Sequence, residues 1–148
     1  MNKEKKYNQE FMALTEEHIF SAKQILNLLF QYYRPMNIID IGCGSGSWLK
    51  AAGDMGVESL TGVDGPWLKN EMLLSEDIKL ITHDLEIPFP PLGNYDLAIS
   101  LEVAEHLSER RAESFIEDLC KVSKVVLFSA AIPFQGGDNH INEQWQSY

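Results

Sequence analysis

Two rhythms of apolar residues alternate along this chain. Short, nearly continuous apolar runs occur at Asn37-Ile-Ile-Asp-Ile41, Glu58-Ser-Leu-Thr-Gly-Val-Asp64, Asp77-Ile-Lys-Leu-Ile-Thr-His-Asp84, Tyr95-Asp-Leu-Ala-Ile-Ser-Leu101 and Lys124-Val-Val-Leu-Phe-Ser129. Runs of this length predict five strands, mostly buried on both faces. The intervening stretches carry a helical period. The first confident helix is expected to begin at Thr15 as N-cap, with Glu16 and Glu17 in its first turn and Ala22, Ile25, Leu26, Leu29 and Tyr33 on its apolar face, until Pro35 ends it. Residues 1–14 read as a flexible lead-in. Ser47 to Met55, closed by Gly56, predicts a second helix. A further helix is expected from a Ser108 cap, with Ala112, Phe115, Ile116, Leu119 and Cys120 inward and Glu109, Arg110, Arg111, Glu113 and Glu117 outward. Ile87 to Gly93 holds three of the six prolines and predicts a crossing loop.

Strands separated by helices or loops predict a doubly wound α/β fold, a mainly parallel sheet of order 3-2-1-4-5 in a single domain spanning 1–148. With 45% hydrophobic and 23% charged residues, the chain has the composition of a globular domain. A formal net charge of −10 repels a phosphate backbone and disfavours nucleic acid as a partner. The polar start, Met1 to Glu10, is no signal peptide, and no apolar run is long enough to span a bilayer, so a cytoplasmic protein with no membrane partner is expected. Cys43 and Cys120 lack metal or disulfide spacing and read as small core residues.

The first strand runs into Gly42-Cys-Gly-Ser-Gly46. Glycines where strand turns to helix let the backbone bend tightly and approach a ligand that a Cβ would push away. The spacing differs from the G-x-G-x-x-G of a dinucleotide pyrophosphate loop, which disfavours a nicotinamide enzyme. Asp64 falls at the tip of the second strand, about twenty residues past this loop, where a carboxylate can accept both hydroxyl hydrogens of a ribose. Beside Gly65 and Pro66 it is also strong turn chemistry, and both roles can hold at once. Asp40 followed by Gly42-x-Gly44-x-Gly46 resembles the first motif of the class I S-adenosylmethionine-dependent methyltransferases. The resemblance implies that Gly42, Cys43, Gly44 and Gly46 lie along the methionine part of the cofactor with Asp40 supporting them. It also implies that Asp64 binds the ribose and Asp84 the adenine amine, with Leu85 walling that pocket. Trp67 is a lid or a hydrophobic anchor.

The fourth strand leads into Glu102-Val-Ala-Glu105-His106, at the end of the sheet that adjoins the glycine loop in a doubly wound fold. Glu102 is counted with the cofactor contacts and Glu105, His106 and His140 with the catalytic groups. Together Glu102, Glu105, His106 and His140 supply enough donors for Mg2+ or another divalent ion. Glu-x-x-Glu-His is similar to a pattern in small-RNA 2′-O-methyltransferases and ubiquinone-pathway O-methyltransferases, where the ion holds substrate oxygens. Without an ion, His106 or His140 is the preferred general base. The segment Asn139-His-Ile-Asn-Glu-Gln-Trp145 resembles one found after the fifth strand in bacterial methyltransferase-like proteins. The expected function is transfer of a methyl group from S-adenosylmethionine to a hydroxyl of a small-molecule acceptor. The alternatives are a truncated or non-catalytic cofactor-binding domain and, opposed by the acidity, an RNA 2′-O-methyltransferase. The family adds two strands beyond the fifth, and without them the fifth strand is an edge that a homodimer or the tail could cover.

Overall fold

The computed structural model describes residues 3–145, with side chains from residue 16 onward. Five parallel strands form one sheet: β1 (Asn37–Ile41), β2 (Ser59–Asp64), β3 (Ile78–Thr82), β4 (Leu97–Leu101) and β5 (Val126–Ser129), in spatial order β3-β2-β1-β4-β5. This is the doubly wound order the alternation of elements predicts. Order reverses between β1 and β4, and Asp40 pairs with Gly62 on one side and Ile99 on the other. The carboxyl ends on either side of that reversal open a crevice, where doubly wound sheets bind their ligands.

Helices α1 (Lys3–Leu29) and α2 (Ser47–Asp54) cover one face of the sheet, and α3 (Ala112–Val122) covers the other. Successive residues of β1 divide between the two layers, Ile38 packing with Ala22, Leu26 and Leu49, and Ile39 and Ile41 with Phe115 and Leu119. The first helix begins at Lys3, twelve residues before the expected start at Thr15. Nothing between Lys3 and Leu29 breaks a helix, since the stretch holds neither glycine nor proline, and so most of the predicted lead-in is helical. Ile25 is exposed and Tyr33 borderline, while Phe30 is buried in their stead and the Tyr33 hydroxyl donates to the Asp96 carbonyl.

Around α3 the sequence reading is corrected at four side chains. Ser108 makes no capping bond; its N–H and hydroxyl both donate to the Glu86 carboxylate at 2.7 Å. Cys120 and Ile116 are exposed, whereas Arg111, expected in solvent, is buried. The Arg111 guanidinium lies between the rings of Phe89 and Phe115 and donates to the carbonyls of Leu85 and Ile87, to Ser114 and to Asp118. Burial alone would raise the Asp118 carboxyl, but the Phe89 N–H, Lys121 and Arg111 outweigh it and hold it below its ordinary value. The proline-rich crossing loop is thereby bolted to α3, its backbone groups satisfied by side chains where no ladder is available. The strand β5 is the half-exposed edge, with Phe128 exposed. No helix among the described residues is long and apolar enough to cross a membrane.

Candidate active site

Each glycine of the loop after β1 has a left-handed backbone: φ is +81° at Gly42, +49° at Gly44 and +78° at Gly46. That conformation, costly for any residue with a Cβ, carries the chain out of β1 and turns it into α2 within five residues. Gly42 is excluded from substitution a second time, because a Cβ there would come within 2.4 Å of the Val103 side chain just beyond β4. The glycine loop and the segment after β4 are thus in direct contact. Gly44, by contrast, has nothing within 4 Å of where its Cβ would stand, leaving an open cradle above the peptide.

Asp64 holds that cradle in shape. Its Oδ2 accepts the Gly44 N–H at 2.8 Å and its Oδ1 the Gly65 N–H at 2.7 Å. A carboxylate oxygen has a second lone pair, so both remain able to accept a hydroxyl. Asp64 is therefore at once the turn residue and a group able to serve a ribose. The Trp67 ring lies directly over Gly65, where a Cβ would fall within 1.9 Å of it. Asp40 is buried beneath the loop; burial first, and the nearby Asp64 second, push its carboxyl up to about 7. Burial first, and then the neighbouring Asp40 and Asp64, raise the thiol of buried Cys43 far above its ordinary range. Asp84 is exposed and accepts the Glu86 N–H, and Leu85 is buried beneath the turn this makes.

Beyond β4 the structure brings three of the four expected metal-site residues together. Ligand atoms of Glu105, His106 and His140 lie within 4.8 Å of one another. Glu102 is not in this group: its backbone is left-handed at φ +57° and its carboxylate accepts the Ser129 hydroxyl at the end of β5 instead. Spacing counted Glu102 among the donors, but it precedes the short 3-10 turn Ala104–His106 and bonds to the neighbouring strand. His140 arrives by a backbone latch. The N–H groups of Ile141 and Asn142 both donate to the Glu105 carbonyl, at 2.9 and 3.1 Å, folding the tail onto the turn. The two imidazoles then meet edge to face with ring centres 5.1 Å apart.

Their hydrogen bonds settle which nitrogen is free. His106 Nδ1 donates to the Asn139 carbonyl at 3.2 Å and His140 Nδ1 to the Glu143 carboxylate at 3.1 Å. Carbonyl and carboxylate oxygens only accept, so each Nδ1 carries a hydrogen, and in the neutral ring Nε2 is left with the lone pair. Glu105 is fully buried, and neither of its side-chain oxygens has a hydrogen-bond partner among the described residues. A buried carboxyl without a partner costs several kcal/mol. Glu105, His106 and His140 place ligand atoms close enough together to make a donor set that a divalent cation fits. Glu143, which the sequence reading passed over, could have been noticed from His140-x-x-Glu143.

The sheet order, the glycine turn and the acid at the tip of β2 define the class: a doubly wound nucleotide-binding fold of the class I methyltransferase kind. The pattern that defines a family of methyltransferase domains matches residues 11–133, and the chain belongs to that family. The methyltransferase domain of a bacterial Hen1, CtHen1-CN, is 25% identical with a TM-score of 0.55, over 70% of this chain and 62% of that one. DesVI of Streptomyces venezuelae gives a TM-score of 0.67 at 15% identity, over 93% of this chain and 61% of its own. The plantazolicin methyltransferase BpumL, solved with S-adenosylhomocysteine and a monoazolic desmethyl-plantazolicin analogue, gives 0.60 at 21% identity, over 80% of this chain and 47% of its own. This chain therefore spans less than two thirds of the length of each of these three. No curated protein sequence matches it.

Proposed function

We propose that this domain binds S-adenosylmethionine across the glycine loop and transfers its methyl group to a hydroxyl oxygen of a small-molecule acceptor. The observation that carries the reading is the placement of two imidazoles beside a buried carboxyl, on a segment packed against the glycine loop through Val103 and Gly42. Asp64 takes the ribose hydroxyls while holding Gly44, the open cradle over Gly44 receives the methionine part, and Asp84 and Leu85 receive the adenine. In the transfer the acceptor oxygen attacks the methyl carbon, the carbon–sulfur bond breaks with its electron pair going to sulfur, and a histidine Nε2 takes the hydroxyl proton. Most of the acceleration then comes from holding the two reactants in line.

Glu105, His106 Nε2 and His140 Nε2 would hold a divalent ion. When bound, such an ion supplies Lewis acidity that makes a coordinated hydroxyl easier to deprotonate. With Glu102 turned away, the donors are two nitrogens and one carboxylate, a set better suited to a transition metal or zinc than to Mg2+.

Calorimetric titration of S-adenosylmethionine and S-adenosylhomocysteine tests the cofactor half: wild type binds both, and Asp64→Ala binds neither. An acceptor screen then tests the chemistry, His106→Ala lowering turnover by about 10²–10⁴-fold at unchanged cofactor affinity. Failure of wild type to bind either cofactor overturns the reading. Binding without turnover on any hydroxyl acceptor favours a cofactor-binding domain that is not catalytic.

A further inference from the structure

We infer that Glu143 is the positioning residue of the candidate active site, setting the tautomer and direction of His140; the inference deepens the reading above and rests on it for its functional meaning. Both Glu143 oxygens are committed. Oε1 accepts from His140 Nδ1 at 3.1 Å, and Oε2 accepts the Phe134 N–H at 3.0 Å. A free imidazole can carry its hydrogen on either nitrogen and turn about its bond to the chain. A carboxylate on Nδ1 removes both freedoms, leaving Nε2 with the lone pair. The imidazole is confined from a second side: a Cβ at Gly137 would come within 2.2 Å of the His140 ring, so only a glycine lets that loop close over it.

The second oxygen fastens a residue of unusual backbone. Phe134 has φ +73°, a region an aromatic residue enters only when its surroundings compel it, and its side chain is 94% exposed, so core packing is not what compels it. The Gln135 N–H donates to the Ile132 carbonyl at 3.0 Å and closes a turn with Pro133 and Phe134 at its centre, and the bond from the Phe134 N–H to Glu143 fastens that turn to the tail. One carboxylate thus ties the turn at 132–135 to the His140 ring, and the Glu105 carbonyl latch holds the same tail from the other end. His106 is positioned by a backbone carbonyl, which no substitution removes. His140 depends on a side chain, and that makes the role of Glu143 separable.

Nitrogen NMR of the imidazoles at pH 8 reads the tautomer with no metal or cofactor added. His140 is expected as Nδ1–H in wild type and mixed or Nε2–H in Glu143→Ala, while His106 stays Nδ1–H in both. Glu143→Gln has one acceptor oxygen for two donors and is expected to fall between them. Cobalt(II), followed by its visible absorption, supplies the second readout: affinity falls about 10–100-fold in Glu143→Gln with S-adenosylhomocysteine affinity unchanged, as loss of an orienting carboxylate does elsewhere. An Nε2–H His140 in wild type, or a tautomer unmoved by Glu143→Ala, overturns the inference. Wild type that shows the expected tautomer but binds no cobalt leaves Glu143 as the positioning residue of a general base and overturns only the metal part of the proposed function.

Discussion

At the scale of single residues, the groups that sequence spacing exposes are those whose role is local. Gly42, Gly44 and Gly46 announce themselves because a backbone turn needs them where they stand, and their effects should differ. Gly42→Ala combines a left-handed backbone with a collision against Val103. We expect a loss of about 2–4 kcal/mol in denaturant unfolding, partly recovered by adding Val103→Ala. Gly44→Ala meets no atom and carries only the backbone penalty, about 1 kcal/mol, yet should lose cofactor binding. Asp40 makes the protein sensitive to pH. Its carboxyl ionises near 3.8 in the unfolded chain and near 7 in the folded one, so between those values the folded state binds more protons. Stability therefore falls as pH rises from about 4 to about 7, and the loss is complete above 7. Asp40→Asn should be more stable than wild type at pH 8, by on the order of 2–4 kcal/mol, and should lose that advantage at pH 4, as thermal unfolding at the two pH values would show. Glu102 and Glu143 were not legible in the same way. The acid that spacing placed in the metal set bonds to a neighbouring strand, a pairing set by how distant segments meet, and Glu143, though it stands at i+3 from His140 in a segment the sequence marks, shows its partners only once the tail is folded.

At the scale of elements, apolar rhythm located all five strands and the helix after the glycine loop, since burial on a parallel sheet demands the pattern that spacing detects. In the helices the reading misplaced the start of α1 and the setting of Arg111, for opposite reasons. The start of α1 was cut short because its first turns are polar, although nothing there breaks a helix. Around α3, counting charges sent Arg111 to solvent, whereas its five donors and flat face let it be buried between two aromatic rings with its partners satisfied. Arg111→Ala takes from buried Asp118 its guanidinium partner and from the Leu85 and Ile87 carbonyls the donor that joins them to α3. It should cost about 3–5 kcal/mol by urea unfolding, against less than about 0.5 for the exposed neighbour Arg110→Ala. Equal losses at the two positions would show that the guanidinium does not hold the loop.

At the scale of the whole molecule, the order of the sheet followed from alternation of elements, but the edge at β5 raises the question of what pairs with it. Its half-exposed strand, with Phe128 outward, suits pairing with a second copy, and a mass that grows with concentration in light scattering, and shrinks in Phe128→Lys, is the outcome expected of such a pair. A monomer at every concentration overturns it. The latch that folds the tail onto the 3-10 turn has a different reach. It is made by the Glu105 carbonyl, while the cluster with His106 and His140 is made by the Glu105 side chain, so latch and cluster share a residue without sharing atoms. Exchanging the carboxyl at position 105 for another group would leave that carbonyl in place, so the delivery of His140 to the turn is separable from the chemistry of the side chain it meets there.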